Sequence, residues 1–249
     1  MNLILIEPGE VGDAGGVHLT GTRATHLLGV LKVAPGHSVR IGIVDGPCGV
    51  GTVEAIADGT VALRCALEPE IPPRPRVDLL LAVPRPKVLR RLWAQIAALG
   101  VGRIILTNAE KVERNYFDTH ILSPETYRPL LIEGLQQARD TRLPAVTIHR
   151  QFTVLIEDEL DRLVDRGSRL VADPSATRAA AEVAGENSEG RLLLAVGPEG
   201  GWNAFEINLL QTHGFQLVGM GTRTLRTDTA CVALLSLVHD AMARRQNRK

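Results

Sequence analysis

A glycine-rich loop near the carboxyl end of the chain is the first feature that could support chemistry. Residues 192–196 form an apolar run with the length of a buried strand, and Gly197-Pro198-Glu199-Gly200-Gly201 follows at once. Glycines let a backbone approach a ligand closely, and ligands of parallel α/β sheets lie at the carboxyl ends of strands. The pattern therefore suits a cofactor loop, in which a side chain at Gly200 or Gly201 would clash with the ligand or with the loop conformation. A strand-to-helix turn that only requires positive φ explains the same glycines.

A second loop further along the chain carries two arginines. Residues 218–222 indicate the end of another strand, and Arg223 and Arg226 follow before a helix begins. Thr227 suits the N-cap of that helix and Asp228 suits its first turn, so both have a sufficient structural explanation. The two arginines have none, and their guanidinium groups could hold a phosphate or a developing negative charge.

Strands that alternate with helices are predicted to position both loops. Beyond residue 72, apolar strands are predicted at 77–83, 103–107, 169–172, 191–196 and 216–220. Helical spacing of apolar residues predicts helices over roughly 88–99, 125–138, 154–165 and 228–243. This alternation is typical of a mostly parallel sheet covered on both faces. The last helix carries apolar residues over more of its circumference than a surface helix needs.

The amino-terminal part of the chain has a different pattern. Short strands separated by turn signals such as Asp45-Gly46 predict a mostly β domain there. A proline-dense segment around residues 69–75 cannot continue a helix or a central strand, so we place a boundary within it. The sequence predicts two domains, 1–72 and 73–249.

Composition and short motifs exclude several classes of protein. The 28 lysines and arginines equal the 28 aspartates and glutamates, so net charge gives no support for a nucleic-acid partner. No apolar run is long enough for a membrane helix, and the first residues lack the basic region of a signal peptide, which predicts a cytoplasmic protein. Three widely spaced cysteines argue against disulfides and a metal site, and are predicted to be core thiols. The sequence also lacks a phosphate-binding P-loop, a GxSxG nucleophile elbow and an HExxH pair.

The two loops together resemble the ribosomal uridine N3-methyltransferase family. The family pattern is Gly-Pro-Glu-Gly-Gly followed by LG-x-R-x-LR-x-ET-A, and this chain has 197–201 followed by 220–230. The resemblance extends toward the amino end, where His26 with Val30-Leu31-Lys32, Asp45-Gly46 and Leu99-Gly100-Val101 resemble other family segments. Gln137 lies in the position of the glutamine in the family's EQ-x-x-R segment, with Arg142 and Pro144 just after, and Asp173-Pro174 lies where the family has His-Pro.

The resemblance implies an α/β fold: a carboxyl-terminal SPOUT domain with a trefoil knot, preceded by a small PUA-like β-barrel that binds RNA. It implies an enzyme that acts as a homodimer and transfers a methyl group from S-adenosylmethionine to N3 of a uridine in 16S ribosomal RNA, either naked or within the small-subunit particle, without a metal or a membrane. The implied cofactor-binding residues are Ala172, Asp173, Pro174, Val196, Gly197, Pro198, Glu199, Gly200, Gly201, Met220, Gly221, Arg223 and Leu225.

Several family residues are replaced in this chain, mostly outside the cofactor loops. The replacements are Gly29, Gln95, Ala98, Gln136 and Asp228. They leave open a methyltransferase that acts on a different RNA, or a non-catalytic RNA-binding protein that retains the fold.

Methylation of uridine at N3 needs a proton acceptor and stabilisation of charge on the base oxygens. We assign Asp228 the first role and Arg226 the second, with Arg223 bracing the cofactor loop or an RNA phosphate. In the alternative, Asp228 only starts a helix and catalysis consists of positioning the two substrates. Contacts to RNA are predicted for the basic residues Lys32, Arg85, Lys87, Arg90 and Arg91.

Overall fold

The computed structural model of the chain describes residues 3–164, 167–186 and 190–246. The chain divides into two compact units. The first contains Met1–Arg74 together with Ile132–Leu143, and the second contains Pro75–Leu131 together with Pro144–Lys249. The first break between the two units follows Arg74, two residues beyond the boundary that the prolines predict after residue 72.

The amino-terminal unit is built on a five-stranded sheet. Its strands are β1 (Ile4–Ile6), β2 (Gly16–Leu19), β3 (Ser38–Ile43), β4 (Cys48–Ala57) and β5 (Thr60–Leu67), in the order β1-β3-β4-β5-β2. The pair β1 and β3 is parallel, and the other pairs are antiparallel. Helix α1 (Gly21–Gly29) contributes Ala24 and Leu27 to the apolar core of this unit. No ladder joins the two edge strands within the described residues, so the closed PUA-like barrel stays a prediction.

The α/β unit contains a six-stranded parallel sheet, which confirms the α/β part of the predicted fold class. Its strands are β6 (Val77–Ala82), β7 (Val101–Thr107), β8 (Ala145–His149), β9 (Gly167–Ala172), β10 (Arg191–Val196) and β11 (Phe215–Val218), in the order β11-β9-β10-β6-β7-β8. Strand β6 is buried along its whole length because it lies inside the sheet.

Helices follow these strands along the chain. They are α2 (Pro86–Ala98), α3 (Pro124–Ala138), α4 (Phe152–Val154), α5 (Leu160–Leu163), α6 (Ala180–Glu186), α7 (Ala204–Thr212) and α8 (Thr227–Gln246). A π-helical turn, Leu155–Glu159, separates α4 from α5 where the sequence predicts one helix over 154–165. Residue 165 of that predicted helix lies outside the described residues.

A short segment far along the chain completes the amino-terminal unit. Helix α3 begins in the α/β unit, but from Ile132 its residues belong to the first unit. The backbone N–H of Leu3 donates to the carbonyl of Gln136 at 3.0 Å, and that of Asp45 donates to the carbonyl of Thr141 at 2.7 Å. Arg142 also donates to the carbonyl of Asp45, at 3.0 Å. The Asp45-Gly46 turn and the segment around Gln137 and Arg142, two separate family motifs in the sequence, thus belong to one folded unit.

All three cysteines are free thiols. Cys48 and Cys231 are buried and Cys65 is partly buried, as predicted for core thiols. Burial raises the pKa of the Cys231 thiol to about 12, so this residue stays protonated and unreactive at neutral pH.

A buried ion pair joins the two central strands of the α/β unit. Asp78 on β6 is 1% exposed, and both of its carboxylate oxygens accept hydrogen bonds from Arg191 on β10, at 2.6 and 3.0 Å. We expect Arg191→Met to lower the free energy of unfolding by about 3 kcal/mol, because the carboxylate of Asp78 stays buried without this partner.

Urea denaturation followed by circular dichroism measures this loss. The matched control is Arg244→Met, which removes an exposed pair with Asp240 on α8 and is expected to cost less than about 1 kcal/mol. Equal losses for the two variants would contradict the importance of the buried pair.

Candidate active site

A cavity of about 250 Å³ lies in the α/β unit at the carboxyl ends of three neighbouring strands. The loops that line it follow β9, β10 and β11, and the start of α8 closes one side. In the sheet, β9 lies between β10 and β11. The chain therefore passes from β9 to β10 on one side and then crosses over to β11 on the other side. Such a reversal opens a crevice at the carboxyl edge of a parallel sheet, where ligands bind.

The structure brings every candidate cofactor-binding residue to this one cavity. All the residues implied by the resemblance, from Ala172 to Leu225, lie on its wall. The wall also contains residues that the sequence analysis did not assign to cofactor binding: Trp202, Val218, Gly219, Thr224, Thr227, Ala230 and Leu234. Two signals in the sequence could have identified four of these residues. Trp202 and Gly219 directly adjoin the two recognised motifs. Ala230 and Leu234 are one turn apart on α8 and therefore lie on the same face of the helix.

Two features favour glycine in these loops. A Cβ on Gly197 would lie 3.2 Å from the ring and the backbone nitrogen of Trp202, a tight approach that favours glycine there. Gly201 has φ +68° and Gly221 has φ +112°, which side-chain-bearing residues rarely adopt. The turn interpretation and the ligand interpretation of the glycine-rich loop are therefore both consistent with its geometry.

Asp228 lies in the first turn of α8 and contacts two arginines. Its Oδ2 accepts a hydrogen bond from Nη2 of Arg91 at 2.8 Å, and its Oδ1 lies 3.8 Å from Nε of Arg226. The Asp228 side chain is 19% exposed, whereas that of Arg226 is 75% exposed. Thr227, predicted as the N-cap, is instead the first residue of the helix. The Arg226 side chain is thus largely exposed to solvent, while the carboxylate is already paired.

The predicted RNA-binding residues divide into four groups. Arg85 is the N-cap of α2, and its backbone N–H donates to Oε1 of Glu199 at 3.0 Å, which ties it to the cofactor loop. Arg91 pairs with Asp228, whereas Lys87 and Arg90 are exposed on α2. Lys32 belongs to the amino-terminal unit, with φ at 49°.

Within the described ranges, no three histidines, cysteines or acidic residues come together where they could hold a metal ion. Over the same part of the chain, no helix combines the length and apolar character that crossing a membrane requires.

A ligand-sized cavity among glycine-rich loops at the carboxyl edge of a parallel sheet defines an α/β protein that binds a small molecule. The family model described as an RNA methyltransferase domain matches residues 72–239. This chain therefore belongs to the RNA methyltransferase family that includes ribosomal RNA small subunit methyltransferase E. The predicted resemblance to the ribosomal RNA methyltransferases is confirmed.

Individual relatives agree along nearly the whole chain. Ribosomal RNA small subunit methyltransferase E of Treponema pallidum is 32% identical over 249 residues, which cover 96% of this chain and 90% of the relative. The protein named ribosomal RNA small subunit methyltransferase E 1 in Borreliella burgdorferi is 25% identical, with 94% and 95% covered. The crystal structure of the Neisseria gonorrhoeae methyltransferase E bound to S-adenosylmethionine has the same fold, with a TM-score of 0.77 at 19% identity and with 96% and 97% covered.

Proposed function

We propose that this chain transfers a methyl group from S-adenosylmethionine to N3 of a specific uridine in 16S ribosomal RNA. The observation that carries the proposal is the single cavity that gathers the three loops of the predicted cofactor site. Membership of the RNA methyltransferase family supports an RNA substrate. The names of the relatives support ribosomal RNA of the small subunit as the target.

The cavity suits S-adenosylmethionine because it combines apolar walls with exposed backbone. Val196, Val218, Leu225 and Leu234 supply apolar surface for the adenine and the methionine chain, and the glycine loops present N–H and C=O groups to polar atoms. When bound, the cofactor supplies an electrophilic methyl group. The candidate residues of the three loops bind it and hold it in place.

Arg226 and Asp228 carry the chemistry of the base in this proposal. Asp228 accepts the N3 proton, and Arg226 stabilises negative charge as it spreads onto a base oxygen. A second account, in which Asp228 has only a structural role, is favoured by its hydrogen bonds to Arg91 and to the backbone N–H of Thr229. In that account the enzyme accelerates the reaction by positioning the two substrates.

RNA binding is assigned to both units. The amino-terminal unit acts as a PUA-like barrel that contributes Lys32, and the α/β unit contributes Arg85, Lys87, Arg90 and Arg91. The knot proposed for the carboxyl-terminal region holds the cofactor loops together. The cytoplasm, where the small subunit is assembled, is the proposed site of action.

Transfer of a labelled methyl group from S-adenosylmethionine to 16S RNA stripped of modifications tests the proposal. Mass mapping of the product is expected to place the label on N3 of one uridine. Label in another RNA would support the alternative of a different target. Binding of RNA without any methyl transfer would support a non-catalytic RNA-binding protein.

We also propose a homodimer. Helix α8 leaves Leu237 38% exposed, and Leu225 beside the cavity is equally exposed. Large apolar side chains of this kind are often covered by a second subunit. Sedimentation at micromolar concentration is expected to give about twice the chain mass of 26.9 kDa. A monomer at that concentration would contradict the dimer.

A further inference from the structure

The outer side of the cofactor loop is attached to a loop that does not line the cavity. Glu206, on the first turn of α7, is 3% exposed. Its Oε2 accepts the backbone N–H of Asn203 and its Oε1 accepts that of Glu110, both at 2.7 Å. Because a buried carboxylate without hydrogen-bond donors is costly, these two bonds hold both backbone segments to the same side chain.

This attachment joins two strands that are not neighbours. Glu110 lies just beyond β7, and Asn203 lies in the segment after β10, with β6 between the two strands in the sheet. Backbone hydrogen bonds between β7 and β10 therefore cannot fix the position of one loop relative to the other. Glu206 supplies that connection through a single side chain.

Lys111 extends the connection to the glycine-rich loop itself. Its Nζ donates to the carbonyl oxygen of Gly200 at 2.7 Å, and its side chain lies over Gly200. A Cβ on Gly200 would lie 2.7 Å from Cδ of Lys111. The space that Gly200 leaves free is thus occupied by Lys111, so a side chain at Gly200 would meet Lys111 before it met any ligand.

We propose that Glu206 and Lys111 are positioning residues that hold the loop 197–201 in its cofactor-binding conformation. The inference rests on the proposed function, in which this cavity binds S-adenosylmethionine. Neither side chain lines the cavity, so both act through the backbone of the loop. A loop already held in the bound conformation loses less entropy when the ligand binds, which raises affinity.

A double-mutant cycle between Lys111 and Gly200 tests the lysine, with the dissociation constant for S-adenosylmethionine measured by calorimetry. Lys111→Ala is expected to weaken binding roughly three- to tenfold, the range for one lost hydrogen bond. Gly200→Ala is expected to weaken binding by a similar factor, because its methyl group displaces the lysine. The double variant is expected to bind within about twofold of Lys111→Ala alone, since the 2.7 Å contact with Cδ is then removed and only the Cβ of residue 111, at 3.3 Å, stays near the added methyl group. Effects that multiply in the double variant would overturn the proposal.

Glu206→Gln tests the carboxylate. The amide keeps the shape of the side chain but directs an N–H group at a backbone N–H, so cofactor binding is expected to weaken roughly tenfold or more. The KM for S-adenosylmethionine should rise by this factor while kcat at saturating substrates is retained, which a general loss of folded protein would not produce. Glu125→Gln, an exposed change at the start of α3, is the control and should alter neither constant.

The outcomes separate this inference from the proposed function. If the parent protein does not bind S-adenosylmethionine, the proposed function fails. If the parent binds it, and the Lys111 and Glu206 variants bind equally well, only the positioning role is wrong. The double-mutant cycle decides the lysine even if Glu206→Gln does not fold.

Discussion

Replacing Gly221 by alanine is expected to weaken binding of S-adenosylmethionine roughly 10- to 100-fold. Gly221 has φ +112°, outside the conformations that alanine adopts without strain, and strain of this kind is of the order of 1–3 kcal/mol. No atom lies within 4 Å of an added Cβ, so the methyl group itself meets no obstacle. The loop must therefore change its backbone conformation, and the affinity is lost because this loop lines the cavity. Calorimetry measures the affinity.

Gly29→Ala is the matched control for this experiment. Gly29 lies at the end of α1, has ordinary φ and also has open space around an added Cβ. The same substitution there is expected to leave cofactor binding unchanged. Thermal melting should show that both variants fold. Cofactor affinity equal to the parent's in folded Gly221→Ala would show that the cavity is not the cofactor site or that the loop tolerates the strain.

Replacing Arg226 by alanine is expected to lower kcat at saturating RNA roughly 100-fold. Removal of one group that stabilises charge in a transition state commonly costs this much. The Arg226 side chain is 75% exposed and lies beside Asp228, so it can reach a base without being released from a buried contact. Steady-state methyl transfer to 16S RNA under saturating cofactor measures the effect.

Arg90→Ala should differ from Arg226→Ala in kind. Arg90 is exposed on α2, and loss of a phosphate contact there should raise the apparent KM for RNA while leaving kcat near the parental value. It should also reduce the slope of log affinity against log salt by roughly one unit or slightly less. Parental kcat in Arg226→Ala would refute the electrostatic role and favour catalysis by positioning of the two substrates.

The candidate site could be predicted from the sequence because its parts are local. Each cofactor loop follows the end of an apolar strand, and parallel strands place their carboxyl ends at one edge of the sheet. The glycines and the arginines of 197–201 and 220–226 carry their own backbone and charge requirements within a few residues. The family resemblance then supplied the third loop, 172–174, which has no such signal of its own.

Other elements of the α/β unit could not be predicted in this way. Strand β8 lies at the edge of the sheet and is only partly buried, so its sequence lacks the apolar run that marks β6 and β10. Helix α6 is short, and a π-helical turn interrupts the segment between α4 and α5. The spacing of apolar residues in the sequence does not reveal a π-helical turn, in which one extra residue is inserted into a helix.

The sequence by itself determined the α/β class, the approximate positions of five of the six strands in the α/β unit and, through the family resemblance, the loops that form the cavity. Only the tertiary structure decided which distant residues meet. Residues 132–143 complete the amino-terminal unit, Arg91 pairs with Asp228, and Glu206 holds the backbone of Glu110. Backbone preference and apolar periodicity act over one element at a time, whereas these contacts depend on the order of strands in the sheet and on how the helices pack. The partners of the candidate catalytic carboxylate and of the cofactor loop therefore became visible only in the folded chain.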